Sequence, residues 1–253
     1  MCFALLALGQ HPEYPFILAA NRDEFTNRPA QVMHEWEDVP GVLAGRDLES
    51  MGSWLALNQR DRRLALVTNV RDGSRQTAEC SRGLLIRDLV DTDQSMEARL
   101  DALTAEQGSY AGFNVLTGIV GEAMYYLSNR IADAPVRLEN GLYGLSNAAL
   151  DTPWPKVLRG KKRLQTLLAK HSEITYEDLF AILADDKKAP DDQLPDTGIS
   201  LEWERFLSSL FIYGESYRTR CSTIVLMDNH ERIYCRERSF KQDGGFVDNT
   251  FCF

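Results

Sequence analysis

The sequence predicts an α+β protein built of two stacked antiparallel sheets with helices outside them. Three observations lead there. Short apolar stretches recur in pairs separated by turn residues, about five times along the chain. About five longer stretches carry Leu, Ile and Val at helical spacing, clustered between the sets of strands. A length of 253 residues with 44% hydrophobic content suffices for one domain, residues 1–253, with a large core. Other α+β layouts share this order of elements, and neither an internal repeat nor a low-complexity segment interrupts it.

The first strand pair is residues 2–8 and 16–20, joined by Gly9-Gln10-His11-Pro12-Glu13-Tyr14-Pro15. It leads into the polar run Asn21-Arg22-Asp23-Glu24-Phe25-Thr26-Asn27-Arg28, so Arg22 and Asp23 are expected near the end of the second strand. A short strand with turn glycines occupies residues 41–47. Residues 53–58 alternate with period two, and Gln59-Arg60-Asp61-Arg62-Arg63 turns the chain into residues 64–69. That second hairpin ends in Asn69-Val70-Arg71-Asp72-Gly73, another polar cluster at a strand terminus. Helices are expected at 81–90 and 96–103, covering one face of a sheet. Residues 110–118 with 123–128 form a third hairpin, and 136–138 with 142–145 a fourth, because Asn140-Gly141 accepts the positive φ angles of a tight turn. Pro155 suits the first turn of a helix at 155–168, and Thr175 with Asp178 caps another at 176–183. Residues 185–198 read as a mobile loop, 201–212 as a further helix, and 219–227 with 232–238 as the last hairpin.

A net charge of −9 and a pI near 5.0 argue against nucleic acid as a partner, since phosphates call for clustered Lys and Arg. The tight basic run Gly160-Lys161-Lys162-Arg163 has the spacing of a solvated helix face. Five cysteines, at 2, 80, 221, 235 and 252, form no Cys-x-x-Cys pair, and neither a disulfide framework nor a zinc site is expected. The first apolar run lacks a basic flank and reads as a strand, not a signal peptide. No run approaches the roughly 20 apolar residues of a membrane span. The expected setting is cytoplasmic. His11, His34, His171 and His230 fall in or beside expected turns and helix ends and read as solvent-facing. Trp36, Trp54, Trp154 and Trp203 read as core or pocket wall. Walker loops, dinucleotide glycine motifs, His-Glu-x-x-His and Gly-x-Ser-x-Gly are all missing from the sequence.

Cys2 has the most chemistry within reach. It is small enough for Met1 to be removed, which would leave a thiol and a free α-amine on one residue. An amine with a reference pKa of about 7.7–8.0 takes the thiol proton near neutral pH, so this nucleophile carries its own base. Its thiol is expected to be alkylated faster than those of Cys80, Cys221, Cys235 and Cys252. Arg22 would hold the thiolate or grip a substrate carboxylate, and Asp23 would accept from the new ammonium. Attack on a carbonyl also needs donors for the oxyanion. Asn69 and Asn147, each closing an apolar strand before a turn, are the candidates.

Met1-Cys2-Phe3, Ala20-Asn21-Arg22-Asp23-Glu24 and Gly52-Ser53-Trp54-Leu55-Ala56 together resemble the NRDE family, which includes transport and Golgi organisation protein 2 and its bacterial relatives. The resemblance continues through Asn69-Val70-Arg71, Gly144-Leu145-Ser146-Asn147 and Ser200-Leu201-Glu202. It implies a four-layer αββα sandwich of N-terminal-nucleophile-hydrolase type, and a cellular role tied to haem and to lipid or acyl-coenzyme A handling. Through cysteine-type hydrolases of that fold, such as the bile-salt hydrolase and penicillin V acylase relatives, it implies a catalytic set of Cys2, Arg22, Asp23, Asn69 and Asn147. Two features depart from those acylases. The Asn-Arg-Asp spacing differs from their Arg-x-x-Asp, and their late arginine finds its nearest counterpart in Lys156. Asn21, Glu24, Arg28, Trp54 and Lys156 are the expected substrate or ligand contacts.

Two functions follow. In the first, Cys2 attacks an amide or thioester carbonyl, as a hydrolase or acyltransferase does. In the second, the same pocket binds haem or acyl-coenzyme A and passes it on without chemistry, with the Cys2 thiolate as a soft ligand for iron. No cofactor is required; haem enters as cargo, and the expected partners are small molecules. An intact-mass measurement on the purified protein is expected to find a chain beginning at Cys2, and retention of Met1 in nearly all molecules would exclude the self-activating nucleophile.

Overall fold

The computed structural model describes residues 2–73, 78–131, 134–170 and 173–253. In chain order the strands are β1 (Cys2–Leu8), β2 (Phe16–Phe25), β3 (Ala30–Glu35), β4 (Val42–Asp47), β5 (Leu55–Asn58), β6 (Arg63–Asn69), β7 (Phe113–Ile119), β8 (Met124–Ser128), β9 (Val136–Leu138), β10 (Gly141–Leu145), β11 (Tyr217–Met227), β12 (Ile233–Phe240) and β13 (Phe246–Cys252). The helices are α1 (Arg82–Val90), α2 (Met96–Glu106), α3 (Pro155–Leu168), α4 (Tyr176–Leu183) and α5 (Leu201–Phe206). The strands form two antiparallel sheets, ordered β10-β1-β2-β11-β12-β13 and β3-β4-β5-β6-β7-β8-β9, and the α+β class holds. Each sheet belongs to its own compact unit. The six-stranded one comprises residues 1–27, 71–74 and 140–253, and the seven-stranded one residues 28–70 and 75–139. None of the described helices is long and apolar enough to cross a membrane.

In the six-stranded unit, strand alternation decides which side chains meet the helices. Phe3, Leu5, Ala7, Ile17 and Ala19, with Ile224 and Leu226 of β11, pack against Val157, Leu164 and Leu168 of α3 and Leu179, Phe180 and Leu183 of α4. Each large apolar side chain buried in this way contributes about 1.5–3 kcal/mol. Pro155 opens α3 at a position where its missing N–H is no loss, and the Thr175–Asp178 capping box opens α4. Gly160 lets α3 lie close on β1: a Cβ there would stand 2.6 Å from the Phe3 ring.

In the seven-stranded unit, Leu85, Ile86, Leu89 and Val90 of α1 share a core with Ala56 of β5, Ala65 and Val67 of β6 and Val115 of β7. Gly52, which opens the Gly52-Ser53-Trp54 run, has a steric reason. A Cβ on it would fall 2.1 Å from the Gly83 carbonyl carbon, and the Ser53 N–H donates to the Gly83 carbonyl at 3.0 Å.

Several expectations need correction. β2 runs on to Phe25, beyond the expected 16–20, because β11 pairs with it out to Tyr217↔Phe25, and Arg22 and Asp23 lie inside the strand near its end. The fourth hairpin does not form: β9 pairs with β8, whereas β10 pairs with β1 in the other sheet. Neither Asn140 nor Gly141 takes the positive φ that a tight hairpin demands. The helix expected over 201–212 stops at Phe206. Beyond it the hydroxyls of Ser208 and Ser209 donate to the carbonyls of Arg205 and Phe211, a local competition that favours leaving a helix. β3 and β13 were not expected, since both carry polar residues that mute a strand signal. The 185–198 segment contains neither strand nor α-helix, yet it is pinned. The Asp185 carboxylate accepts from Arg159 and Arg163, the Ala189 N–H donates to Ser208, and Asp191 pairs with Arg205.

Among the histidines, His11 is buried, stacked on Tyr14 and accepting at Nδ1 from the Glu13 N–H. His34 lies half-buried within β3, His230 is exposed, and His171 lies outside the described residues. Trp36 and Trp54 are buried, whereas Trp203 is exposed.

Gly160→Ala tests the seating of α3. The helix itself gains about 0.5–1 kcal/mol from the exchange. Crowding the fully buried Phe3 costs about 1–3 kcal/mol. Urea unfolding is expected to show a net loss of about 1 kcal/mol, and a variant more stable than wild type would contradict the close approach.

Candidate functional site

Cys2 opens β1 and faces Arg22 across the β1–β2 ladder, and Arg22 faces Cys221 of β11 on its other side. The three form one row across the sheet, on the face opposite α3 and α4, because Phe3 and Ala19 point to the helices. Opposed residues of an antiparallel pair hold their Cβ atoms about 4.5–5.5 Å apart. Arg22 is thus flanked by two thiols, and it lies 3.9 Å from the Glu24 carboxylate, two residues on along the same face. Cys2 is only 7% exposed. Burial pushes its thiol pKa up, against the weaker pull of the N-terminal ammonium and Arg22. Burial and the neighbouring Glu237 push Cys221 well up. The Glu237 carboxylate accepts from Thr223 at 3.3 Å and from Ser239 at 3.1 Å.

Asn21 and Asp23 point the other way, toward the helix side. The Asn21 amide donates to the carbonyls of Leu183 and Leu210 at 3.0 and 2.9 Å and accepts from the Ser222 hydroxyl at 2.6 Å. It ties the end of α4 and the chain after α5 to the sheet. The Asp23 carboxylate accepts from the Thr219 hydroxyl at 2.7 Å, and its carbonyl accepts from the Tyr217 hydroxyl at 2.9 Å. A bulge between Thr219 and Cys221 makes both rows possible. With the extra residue, Arg220, Thr219 reaches Asp23 on one face while Cys221 sits beside Arg22 on the other.

Lys156, near the start of α3, is buried at 2% exposure, and its Nζ donates to the Leu207 carbonyl at 3.1 Å. Burial pulls its pKa down to about 8, opposed by attraction to Asp23 and reinforced by Arg71. Burial raises the Asp23 carboxyl in turn, against the pull of the N-terminal ammonium and Lys156. Arg71 joins the group through a buried ion pair with Glu204 at 2.7 Å, with its guanidinium 4.5 Å above the Trp154 ring. Glu204 also accepts from the Thr197 N–H and hydroxyl. The Arg71 N–H donates to the Asn147 carbonyl at 2.8 Å. Next to it, the Ser146 hydroxyl lies 3.3 Å from the Cys2 carbonyl and 3.2 Å from Asn147 Oδ1, which links the Asn147 turn to the Cys2 backbone.

The six-stranded unit therefore contains Cys2, Asn21, Arg22, Asp23, Glu24, Asn147 and Lys156 of the expected site. Asn69, Arg28 and Trp54 belong to the seven-stranded unit. There Asn69 ends β6 opposite Phe113, Trp54 is buried with its carbonyl accepting from the Val67 N–H, and Arg28 pairs with Asp47 and Glu49. Arg71 and Glu204 are absent from the site expected from sequence. Arg71 stands in the polar run after β6, a signal that was available; nothing in the pattern separates Glu204 from its exposed neighbour Glu202. Of the five thiols, those of Cys80 and Cys252 are exposed and those of Cys2, Cys221 and Cys235 are buried. Among the described residues, no group of three His, Cys, Asp or Glu is placed to hold a metal ion.

Lys156 imposes a pH dependence on stability. Its folded pKa of about 8 lies below its ordinary 10.5, so between those values the unfolded chain binds more protons and stability rises with pH. Urea titrations from pH 8 to pH 10.5 are expected to show wild type gaining on Lys156→Met by up to about 3 kcal/mol, at about 1.4 kcal/mol per pH unit. A constant difference across that window would mean that Lys156 keeps its proton.

Comparison with known proteins agrees with the motifs. The family model for Transport and Golgi organisation 2 matches residues 1–242. The Transport and Golgi organization 2 homolog of Mus musculus is 29% identical, with 100% of this chain and 99% of its own length covered. The Transport and Golgi organization protein 2 homolog of Bos taurus is 31% identical and that of Homo sapiens 30%, each over 94% of this chain and 93% of its own. A match over that span, with relatives covered nearly end to end, means that the chain belongs to the Transport and Golgi organisation 2 family.

Proposed function

We propose that this protein handles an amphipathic acyl compound in the cytoplasm, by hydrolase-type chemistry at Cys2 on an amide or thioester carbonyl. The observation that carries the reading is the Cys2–Arg22 register pair, on an internal strand, with Asp23 and Lys156 electrostatically coupled to Cys2. Removal of Met1 would put the base on the nucleophile's own residue. The α-amine of Cys2 takes the thiol proton, and the sulfur attacks the carbonyl carbon. The oxyanion is held by the side-chain amide of Asn147. Collapse of the tetrahedral intermediate expels the amine or thiol, which carries away the proton held by the α-ammonium and leaves a thioester on Cys2. Water, deprotonated by the same amine, then releases the acid and restores the thiol. Asp23 orients the ammonium, Lys156 favours the ionised form of Asp23, and Arg22 with Glu24 orients the polar end of the substrate.

One observation favours a second reading. Burial pushes the Cys2 thiol pKa up and favours the neutral thiol, a poor nucleophile. In that state the protein would bind haem or acyl-coenzyme A without turnover, in keeping with the transport role in the names of its relatives.

Cys2→Ala separates the two. Turnover of a panel of acyl amides and thioesters is expected to fall roughly a thousandfold or more, while binding of the same compounds stays within a few-fold, because the thiol acts mainly in the transition state. Wild type without turnover, but with a haem absorption change that Cys2→Ala abolishes, would select the carrier. Turnover that survives Cys2→Ala would end the Cys2 mechanism, and failure of every compound to bind would end both readings.

A further inference from the structure

Among the described residues, four strands end the two sheets, and three of those edges are guarded. β3 carries a register shift between Gln31 and His34, and β9 is three residues long. Gly144 of β10 is already engaged, its N–H donating to the Asp151 carboxylate and its carbonyl accepting from the Asp151 N–H, both at 2.8 Å. Short, bulged or covered edges are the usual defences against strand addition. β13 has none of them. It pairs with β12 in one unbroken register over seven residues and contains neither Pro nor Lys. Its one charge, Asp248, is neutralised by Arg238 at 2.8 Å, and Phe246 and Val247 are 53% and 39% exposed.

The ladder decides which backbone groups point outward. Ile233 and Phe253 exchange both hydrogen bonds, at 2.8 and 3.1 Å, and the Lys241 N–H meets the Gly245 carbonyl at 2.7 Å. Bonded and non-bonded pairs alternate along antiparallel strands. Residues 247, 249 and 251 therefore bond to β12, while Phe246, Asp248, Thr250 and Cys252 turn N–H and C=O away from the sheet.

We infer that β13 pairs with β13 of a second copy of this chain, antiparallel, about a twofold axis at Asn249. This register sets Phe246 against Cys252 of the second copy and Asp248 against Thr250, so all four outward-facing residues of each copy take part. A one-residue slip of the partner would set outward-facing residues against inward-facing ones. An axis at Asp248 would oppose two carboxylates, and one at Thr250 would leave Phe246 without a partner in the strand. An isologous contact also closes on itself, which a strand edge open to any extended segment does not.

Sedimentation velocity at rising concentration is expected to show wild type passing from monomer to dimer. Thr250→Pro should stay monomeric throughout, because its N–H points outward and the ring removes a bond only from the new ladder; circular dichroism checks that it folds. The second variant is Asn249→Cys, in a chain whose exposed Cys80 and Cys252 are changed to Ser. The opposed 249 positions form a non-hydrogen-bonded pair with Cα atoms about 4.5 Å apart, within disulfide reach. Mild oxidation should link that variant into a dimer on a non-reducing gel, and Val247→Cys in the same background should remain unlinked. Wild type that stays monomeric at every concentration overturns the inference, as does a dimer in which Asn249→Cys links no faster than Val247→Cys.

Discussion

The surroundings of Cys2 depend on one interaction, the pairing of β2 with β11 through a run of charged and amide side chains. Asn21, Arg22, Asp23 and Glu24 have the composition of a solvated turn, and without a neighbouring strand they would be one. β11 continues alongside them to Tyr217, and the side chains find partners on alternate faces. Asn21 and Asp23 are met by Ser222, Thr219 and the carbonyls of Leu183 and Leu210, while Arg22 lies between Cys2 and Cys221. The bulge at Arg220 is what lets one strand serve both faces.

Burying this much charge is costly, and the arrangement shows how the cost is contained. Arg71 and Glu204 neutralise each other and take up Trp154, Thr197 and the Asn147 turn as further partners. Losing one member of such a pair typically costs about 3–5 kcal/mol, because the other is left charged and dry. Lys156 is worse placed than either. It is desolvated, close to the electropositive end of α3, and repelled by Arg71, with Asp23 as the main attraction in its favour.

Much of the fold was legible because its signals are local. Pro155, the Thr175–Asp178 box, the apolar runs of β1 and β6 and the period-two run of β5 each act over a few residues, and those elements fall where the pattern puts them. What escaped is decided at long range. Asn140-Gly141 permits a hairpin, but β10 finds its partner in β1, some 140 residues upstream. The polar half of β2 is a strand only because β11 lies beside it, and β13 is one because Arg236 and Arg238 hold Thr250 and Asp248. At the site, Cys2, Arg22, Asp23 and Asn147 announce themselves by position or motif. Glu204 does not, because nothing in the sequence around it records that Arg71 will be buried against it.

The distance in sequence between β2 and β11 also sets a clock. During synthesis, at about 5–20 residues per second, β11 follows the N-terminus by roughly ten to forty seconds. For that interval β1 and β2 lack the strand that completes their surroundings. Once Tyr217–Met227 has docked, Cys2 is closed off at 7% exposure. The order of synthesis thus leaves the N-terminal hairpin waiting for the chain's own distal third, and conditions that change the speed of translation would change the length of that wait.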